Sequence, residues 1–176
     1  ILGTYLVKLS TKQISEAGSA EVTKLLKLIG DFERISDHAA NLVNTAEEMQ
    51  EKKLLFTDSA AYELDVLFSA VGEIMDLSLT AFLADDLKSA YMVEPLEQVI
   101  DQLKEQMRTR HILRMQQGVC TIDAGFVWSD LLTDLERTSD HCSNIAGCVI
   151  DMAQNSMNLH ESLRNFRNDS EDFQRK

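Results

Sequence analysis

GDFERISDHAANLVNTAEEM, residues 30–49, returns in altered form as TDLERTSDHCSNIAGCVIDM, residues 133–152. The shared pattern is Asp-x-Glu-Arg-x-Ser-Asp-His-x-x-Asn, and Asp31 and Asp134 open the two copies 103 positions apart. That interval holds three long helices and is the mark of a duplicated helical unit, not of a short-period solenoid. In each copy a Glu and an Asp stand four residues apart, a spacing at which like charges repel on a helix. The repulsion asks for a reason.

Outward from these motifs, apolar residues recur at helical spacing almost everywhere, and alternating β-branched runs bounded by turn signals are absent. The opening ILGTYLVKLS reads as the last turns of a helix cut off at its start, with a stripe of Leu2, Tyr5, Leu6 and Leu9 and no capping residue before it. A second helix is predicted from Ser19 to Lys53, burying among others Val22, Leu28, Phe32, Ala39, Val43 and Ala46. A third starts where Thr57 or Asp58 can cap free backbone N–H groups, and buries Phe68, Val71, Ile74 and Met75 on its way to Phe82. After a break at ADDLKSA, the fourth carries Met92, Leu96, Val99, Ile100, Leu103 and Met107 to about Gln116, with Pro95 tolerable if it kinks or opens the helix. Gly118 suits a C-terminal cap and Asp123 the next start. The last helix buries Trp128, Leu131, Leu132, Leu135, Ile145, Ala146 and Val149, and a polar tail is expected after about Met157. Long helices joined by short turns make an all-α, antiparallel helical bundle.

Composition excludes several classes. The net charge of −12 argues against nucleic acid as a partner, since binding it relies on Lys and Arg to neutralise phosphates, and it suits a cation-binding surface. No run of about 18 apolar residues appears and the N-terminus lacks the basic-then-apolar order of a secretory signal, so the sequence reads as soluble as it stands. Cys120, Cys142 and Cys148 form no Cys-x-x-Cys pair; their odd number fits a reducing compartment and helix packing. No nucleophile elbow, P-loop or zincin motif is present.

The carboxylates can be placed on their helices. With Phe32 facing the core and about 100° per residue, Glu33, Asp37 and Asn41 fall at about 100°, 140° and 180°. With Leu135 as reference, Glu136, Asp140 and Asn144 take the same angles. In EPLEQVIDQL, Leu96 as the core position gives Glu97 and Asp101 the same phase. Oxygen-rich pairs on neighbouring helices suit hard or borderline cations such as Fe, Mn, Mg or Ca, whose charge would relieve the repulsion. His38 and His141 lie too far around the helix from Glu33 and Glu136 for the Glu-x-x-His ligand pattern of ferritin-like sites, and read as hydrogen-bonded boundary residues.

FERISDHAANL and LERTSDHCSNI resemble the repeated Glu-Arg-Ile-Gly-Asp and Glu-Arg-x-x-Asp-His-x-x-Asn signatures of the PhoU family of phosphate-regulation proteins. The resemblance runs from about residue 1 to about residue 153. Ser36 and Ser139 replace the usual glycine, and Thr138 an isoleucine. Within the family, LGTYLVKLS, DLERTSDHCSNIA and LHESLRNF look most like the C-terminal PhoU-like domain of bacterial Na/phosphate cotransporter proteins.

The resemblance implies two three-helix bundles: an incomplete first repeat over 1–55, a second bundle over 56–156 and the tail over 157–176. It also implies multinuclear metal clusters, iron first, with Mn, Mg, Ca or Zn as alternatives. Carried over, the ligands are Glu97, Asp101, Glu136 and Asp140 at one site and Glu33 and Asp37 at another. Asn41, Asn144, Asp31 and Asp134 are possible additional donors. The partner pair of Glu33 and Asp37 would fall just before Ile1, which leaves that site half-built. Arg34 and Arg137 are expected in surface ion pairs. An apolar face left open on the second helix invites a homodimer.

The function expected is regulatory, not enzymatic: a domain at the cytoplasmic face of the bacterial inner membrane, joined to the membrane-embedded Na/phosphate transporter portion of its polypeptide and touching phosphate-signalling proteins. The alternative is a free-standing PhoU-type regulator acting on a phosphate-transport ATPase or a sensor kinase. A carboxylate-bridged metalloenzyme is the third reading.

Overall fold

Among the described residues the chain is all-helical, with five helices running α1 (Leu2–Ser10), α2 (Glu16–Glu51), α3 (Asp58–Ala84), α4 (Leu87–Gln116) and α5 (Ile122–Gln174). It is seen in a computed structural model that describes the backbone of residues 1–12 and 14–174, and the side chains outside 13, 16–17 and 155–176. Helices α3, α4 and α5 pack as a three-helix bundle, α2 lies along α5, and α1 lies on α2. Helix α5 is therefore shared between the bundle and the α1–α2 pair.

Local chemistry sets the helix ends. Ser15 accepts from the Gly18 N–H at the start of α2, and Thr57, as expected, caps α3 by accepting from the Ala60 N–H. Asp86 caps α4 through the Lys88 N–H. Gly118, at φ 72°, ends α4, donating to the Met115 carbonyl while Val119 donates to that of Arg114. The cap of α5 is Thr121, whose hydroxyl accepts from the Ala124 N–H, and Asp123 lies in the first turn, near the start as expected. Pro95 sits inside α4 and has no N–H to give the Tyr91 carbonyl; both residues are exposed, so water can serve that carbonyl.

The core is a column of Leu67, Val71 and Ile74 from α3, Val93, Ile100 and Met107 from α4, and Trp128, Leu132, Leu135 and Cys142 from α5. All seven apolar positions predicted for α5 are buried. On α4 the heptad Val93, Ile100, Met107 faces the core; Met92 and Val99, expected inside, are about half exposed, because one residue turns the chain by about 100°. For the same reason Leu67 is buried and Phe68 is not. On α2, Ile35 and Leu42 meet the core, while Ala39, Val43 and Ala46, expected inside, face outward.

Helix α3 is apolar enough by length and composition to cross a membrane, with an 18-residue window of mean hydropathy 1.6, a property the search for an unbroken apolar run misses. Here it packs against α4 and α5. The helical backbone of α5 continues to Gln174 where a tail was expected from Met157; the side chains of that stretch lie outside the described residues. The three cysteines are free, and Cys142 is fully buried.

A buried lysine pins α2 to the end of α3. Lys24 is 3% exposed; its ammonium donates to the Phe82 carbonyl at 2.9 Å and to the Asp85 carboxylate at 2.7 Å, and lies 4.7 Å from the centre of the Phe82 ring. A cation there meets the negative end of the α3 dipole.

Candidate metal centre

The two motif copies face each other where α2 crosses α5, and each grips the first aspartate of the other. Asp134 Oδ1 lies 2.8 Å from His38 Nδ1 and accepts from Asn41 Nδ2 at 3.1 Å. Asp31 Oδ1 lies 2.9 Å from His141 Nδ1 and accepts from Asn144 Nδ2 at 2.9 Å. The two imidazoles stack at the crossing, 5.8 Å between centroids. His-x-x-Asn puts both donors on one helix face, so a single carboxylate on the opposing helix can serve both. The histidines are the hydrogen-bonded boundary residues the sequence suggests. Asp31, Asp134, Asn41 and Asn144, considered as further metal donors, are all engaged in this clamp.

The Glu and Asp of each motif point elsewhere, and here the copies part. Helix α4 runs beside α5, and one carboxylate oxygen each from Glu97, Asp101 and Asp140 lies within 4.8 Å of the others. Glu97 and Asp140 are half-buried and Asp101 is exposed. Burial first, then the charges of Asp101, Glu94, Asp140 and Glu136, raise the pKa of Glu97. Burial, Glu136 and Asp101 raise that of Asp140, against the opposing pull of Lys104 and His141. Both shifts mark a place short of positive charge.

Glu136, expected as a fourth ligand, stands beside this trio but is held by Lys104, Nζ to Oε1 2.6 Å. The sequence reading did not single out Lys104. Its position eight residues after Leu96 put it within reach, but nothing in the motif called for a cation there. Glu94 accepts from the Ser143 hydroxyl at 2.8 Å and adds its charge to the same region.

The first copy has no such neighbour. Glu33 and Asp37 are exposed on α2, and among the described residues no third ligand group joins them. Neither Arg34 nor Arg137 makes the expected ion pair among the described residues.

Comparison with known proteins follows this division. The PhoU domain is matched over residues 64–149, a span that holds Glu97, Asp101, Glu136 and Asp140 and omits the first motif. The phosphate-specific transport system accessory protein PhoU homolog 1 of Thermotoga maritima is 27% identical over 150 residues, 85% of this chain and 63% of that protein. The chain thus spans less than two thirds of that relative's length. The crystal structure of PhoU from Pseudomonas aeruginosa has the same fold, with a TM-score of 0.78 over 86% of this chain and 72% of the other, at 23% identity.

Proposed function

Because this chain belongs to the PhoU family, we propose that it is a cation-binding regulator of phosphate uptake or phosphate signalling, of the free-standing accessory kind. The observation that carries this reading is the convergence of Glu97, Asp101 and Asp140 from two helices to within 4.8 Å. An all-carboxylate set, short of positive charge, fits a hard or borderline cation such as iron, manganese, magnesium or calcium, and fits zinc less well, which prefers Cys and His. When bound, the cation would supply the charge that lets α4 and α5 approach without repulsion. The names of the two relatives, an accessory protein of a phosphate-specific transport system and PhoU itself, support the accessory reading over the cotransporter-domain reading. A cytoplasmic location and contact with a phosphate-transport ATPase or a sensor kinase belong to the same proposal.

The chain's own residues suggest how occupancy would be felt. Glu97 and Asp101 sit on α4 and Asp140 on α5, so cation binding acts on the α4–α5 spacing. Asp140 is followed by His141, one arm of the clamp on α2. A shift of α5 is thereby passed to the α1–α2 pair, and a partner that prefers one arrangement is coupled to the metal. The reading is regulatory and not enzymatic because the trio opens onto the surface through Asp101, whereas a catalytic metal needs an open position in a water-excluded site.

The test is elemental analysis of protein purified without an affinity tag, wild type against Asp101→Asn/Asp140→Asn. Iron or manganese at about one equivalent or more, lost in the double variant, is the expected result. No metal in either protein, and no uptake when iron or manganese is added, would overturn the metal reading.

A further inference from the structure

Toward the other end of the α4–α5 seam lies a cleft of about 480 Å³ between residues 104–115 of α4 and 122–133 of α5. Its lining has the opposite electrostatic sign from the chain. In a protein with 29 acidic and 17 basic residues, it is lined among the described residues by Lys104 and Arg108 and by no Asp or Glu. Lys104 is committed to Glu136 at 2.6 Å, whereas the exposed Arg108 meets only Glu105 on its own helix, at 4.0 Å, and is the cation open to a ligand. Ile112, Ile122 and Phe126 form an apolar mouth, and Ser129 and Thr133 add hydroxyls.

The floor is polar and unsatisfied. His111, 3% exposed, stacks on Trp128 with centroids 5.1 Å apart and planes 12° apart. Among the described residues neither ring nitrogen of His111 has a hydrogen-bond partner, and neither has Trp128 Nε1. Buried polar atoms are nearly always paired, since an orphan has lost its hydration for nothing in return. Burial and the Arg114 charge lower the pKa of His111, which favours a neutral ring with one donor and one acceptor nitrogen. Gly125 leaves the approach to it open. A Cβ there would stand 3.4 Å from His111 Nε2 and 2.8 Å from Met115 Sδ, so the missing side chain leaves room for the flexible thioether of Met115 on the same side as the imidazole nitrogen.

We infer that this cleft binds a small anion with a flat apolar body. Arg108 holds its phosphate or carboxylate group, its body lies against Ile122 and Phe126, and displacement of Met115 gives its polar edge access to His111 and Trp128. The volume falls in the range of about 300–1,000 Å³ usual for small-molecule sites. A bare inorganic anion would leave the apolar mouth unused, and a cation would meet Arg108.

The probe is 2-naphthyl phosphate, titrated into the full chain by calorimetry and by NMR. Trp128 is the chain's one tryptophan, so its indole N–H resonance reports on this floor alone. Expected are a Kd below about 1 mM, a shifted indole resonance, and binding weakened about tenfold by Arg108→Glu or by replacing the probe with neutral 2-naphthol. Phe126→Ser should weaken it as well. Both residues are exposed, and far-UV circular dichroism checks that each variant folds. The proposal is overturned by an absence of heat and shift up to about 5 mM, by binding indifferent to Arg108→Glu, or by inorganic phosphate producing the same shift.

Discussion

The first and second copies of the motif differ less in sequence than in what stands beside them. Both contribute an Asp, a His and an Asn to the crossing of α2 and α5, and there the two are interchangeable, each carboxylate receiving the other copy's His and Asn at 2.8–3.1 Å. Both also display a Glu and an Asp, but only on α5 does that display meet Glu97 and Asp101 of a neighbouring helix. One motif thus holds two devices at different angles on the helix: a clamp that needs only the other copy, and half of the proposed cation site, which needs a third helix. On α5 and α4 the carboxylates of Glu97, Asp101 and Asp140 crowd one another while Lys104 takes Glu136, and on α2 the repulsion between Glu33 and Asp37 is left to solvent.

The largest expected effect separates the two displays. Asp140→Asn should weaken binding of manganese or iron about a hundredfold or more, since even groups that only support a metal ligand are worth about 10–100-fold. Asp37→Asn, the same change at the equivalent position of the first copy, should leave that affinity within about twofold. Calorimetric titration of both variants checks this. Equal losses in the two would dissolve the distinction and make the first copy a ligand source in its own right.

Next in size is the clamp, where the copies should behave alike. Asp134→Ala strips His38 and Asn41 of their common acceptor, and Asp31→Ala does the same to His141 and Asn144. Each should cost about 2 kcal/mol in urea unfolding, the usual scale for hydrogen bonds to a charged group. Asp134 should be the costlier of the two, because its side chain is 12% exposed against 18% for Asp31. Adding His38→Ala to Asp134→Ala should cost little more, as both act on one contact. Full additivity would mean that the histidine is held by packing and not by the aspartate.

Most of this architecture was legible in the residues. Period and caps gave four long helices, and the burial of Trp128, Leu132 and Leu135 followed from their spacing. The errors at Met92 and Val99 arose because α4 carries apolar residues at adjacent positions, and the periodicity does not say which of two neighbours faces the core. Val93, Ile100 and Met107 do so by their heptad spacing. Glu97, Asp101 and Asp140 were found because a common phase is a local property. The capture of Glu136 by Lys104 and the reciprocal grip on Asp31 and Asp134 were not, because each depends on which helix lies opposite. The stack of His111 on Trp128 joins two helices as well, and no spacing within either announces it.

The smallest effect is on stability in the absence of metal, and its sign is informative. Glu97 and Asp140 have pKa values raised above the ordinary 4.5 and 3.8, so at mildly acid pH the folded chain binds more protons there than the unfolded chain. Stability then falls as pH rises through that window, and at neutral pH the ionised cluster weakens the fold. Asp140→Asn removes one of the charges. It should stabilise the metal-free protein at neutral pH by about 0.5 kcal/mol, the scale of a like-charge pair four residues apart on a helix, and should lose that advantage near pH 4. Asp37→Asn, on the exposed copy, should do less at either pH. Urea midpoints of the three proteins at the two pH values decide the matter, and added manganese should reverse the order, stabilising the wild type and leaving Asp140→Asn unchanged. If Asp140→Asn instead destabilises the metal-free protein at neutral pH, the carboxylate is already paired within the fold, and the trio has no unmet charge for a cation to satisfy.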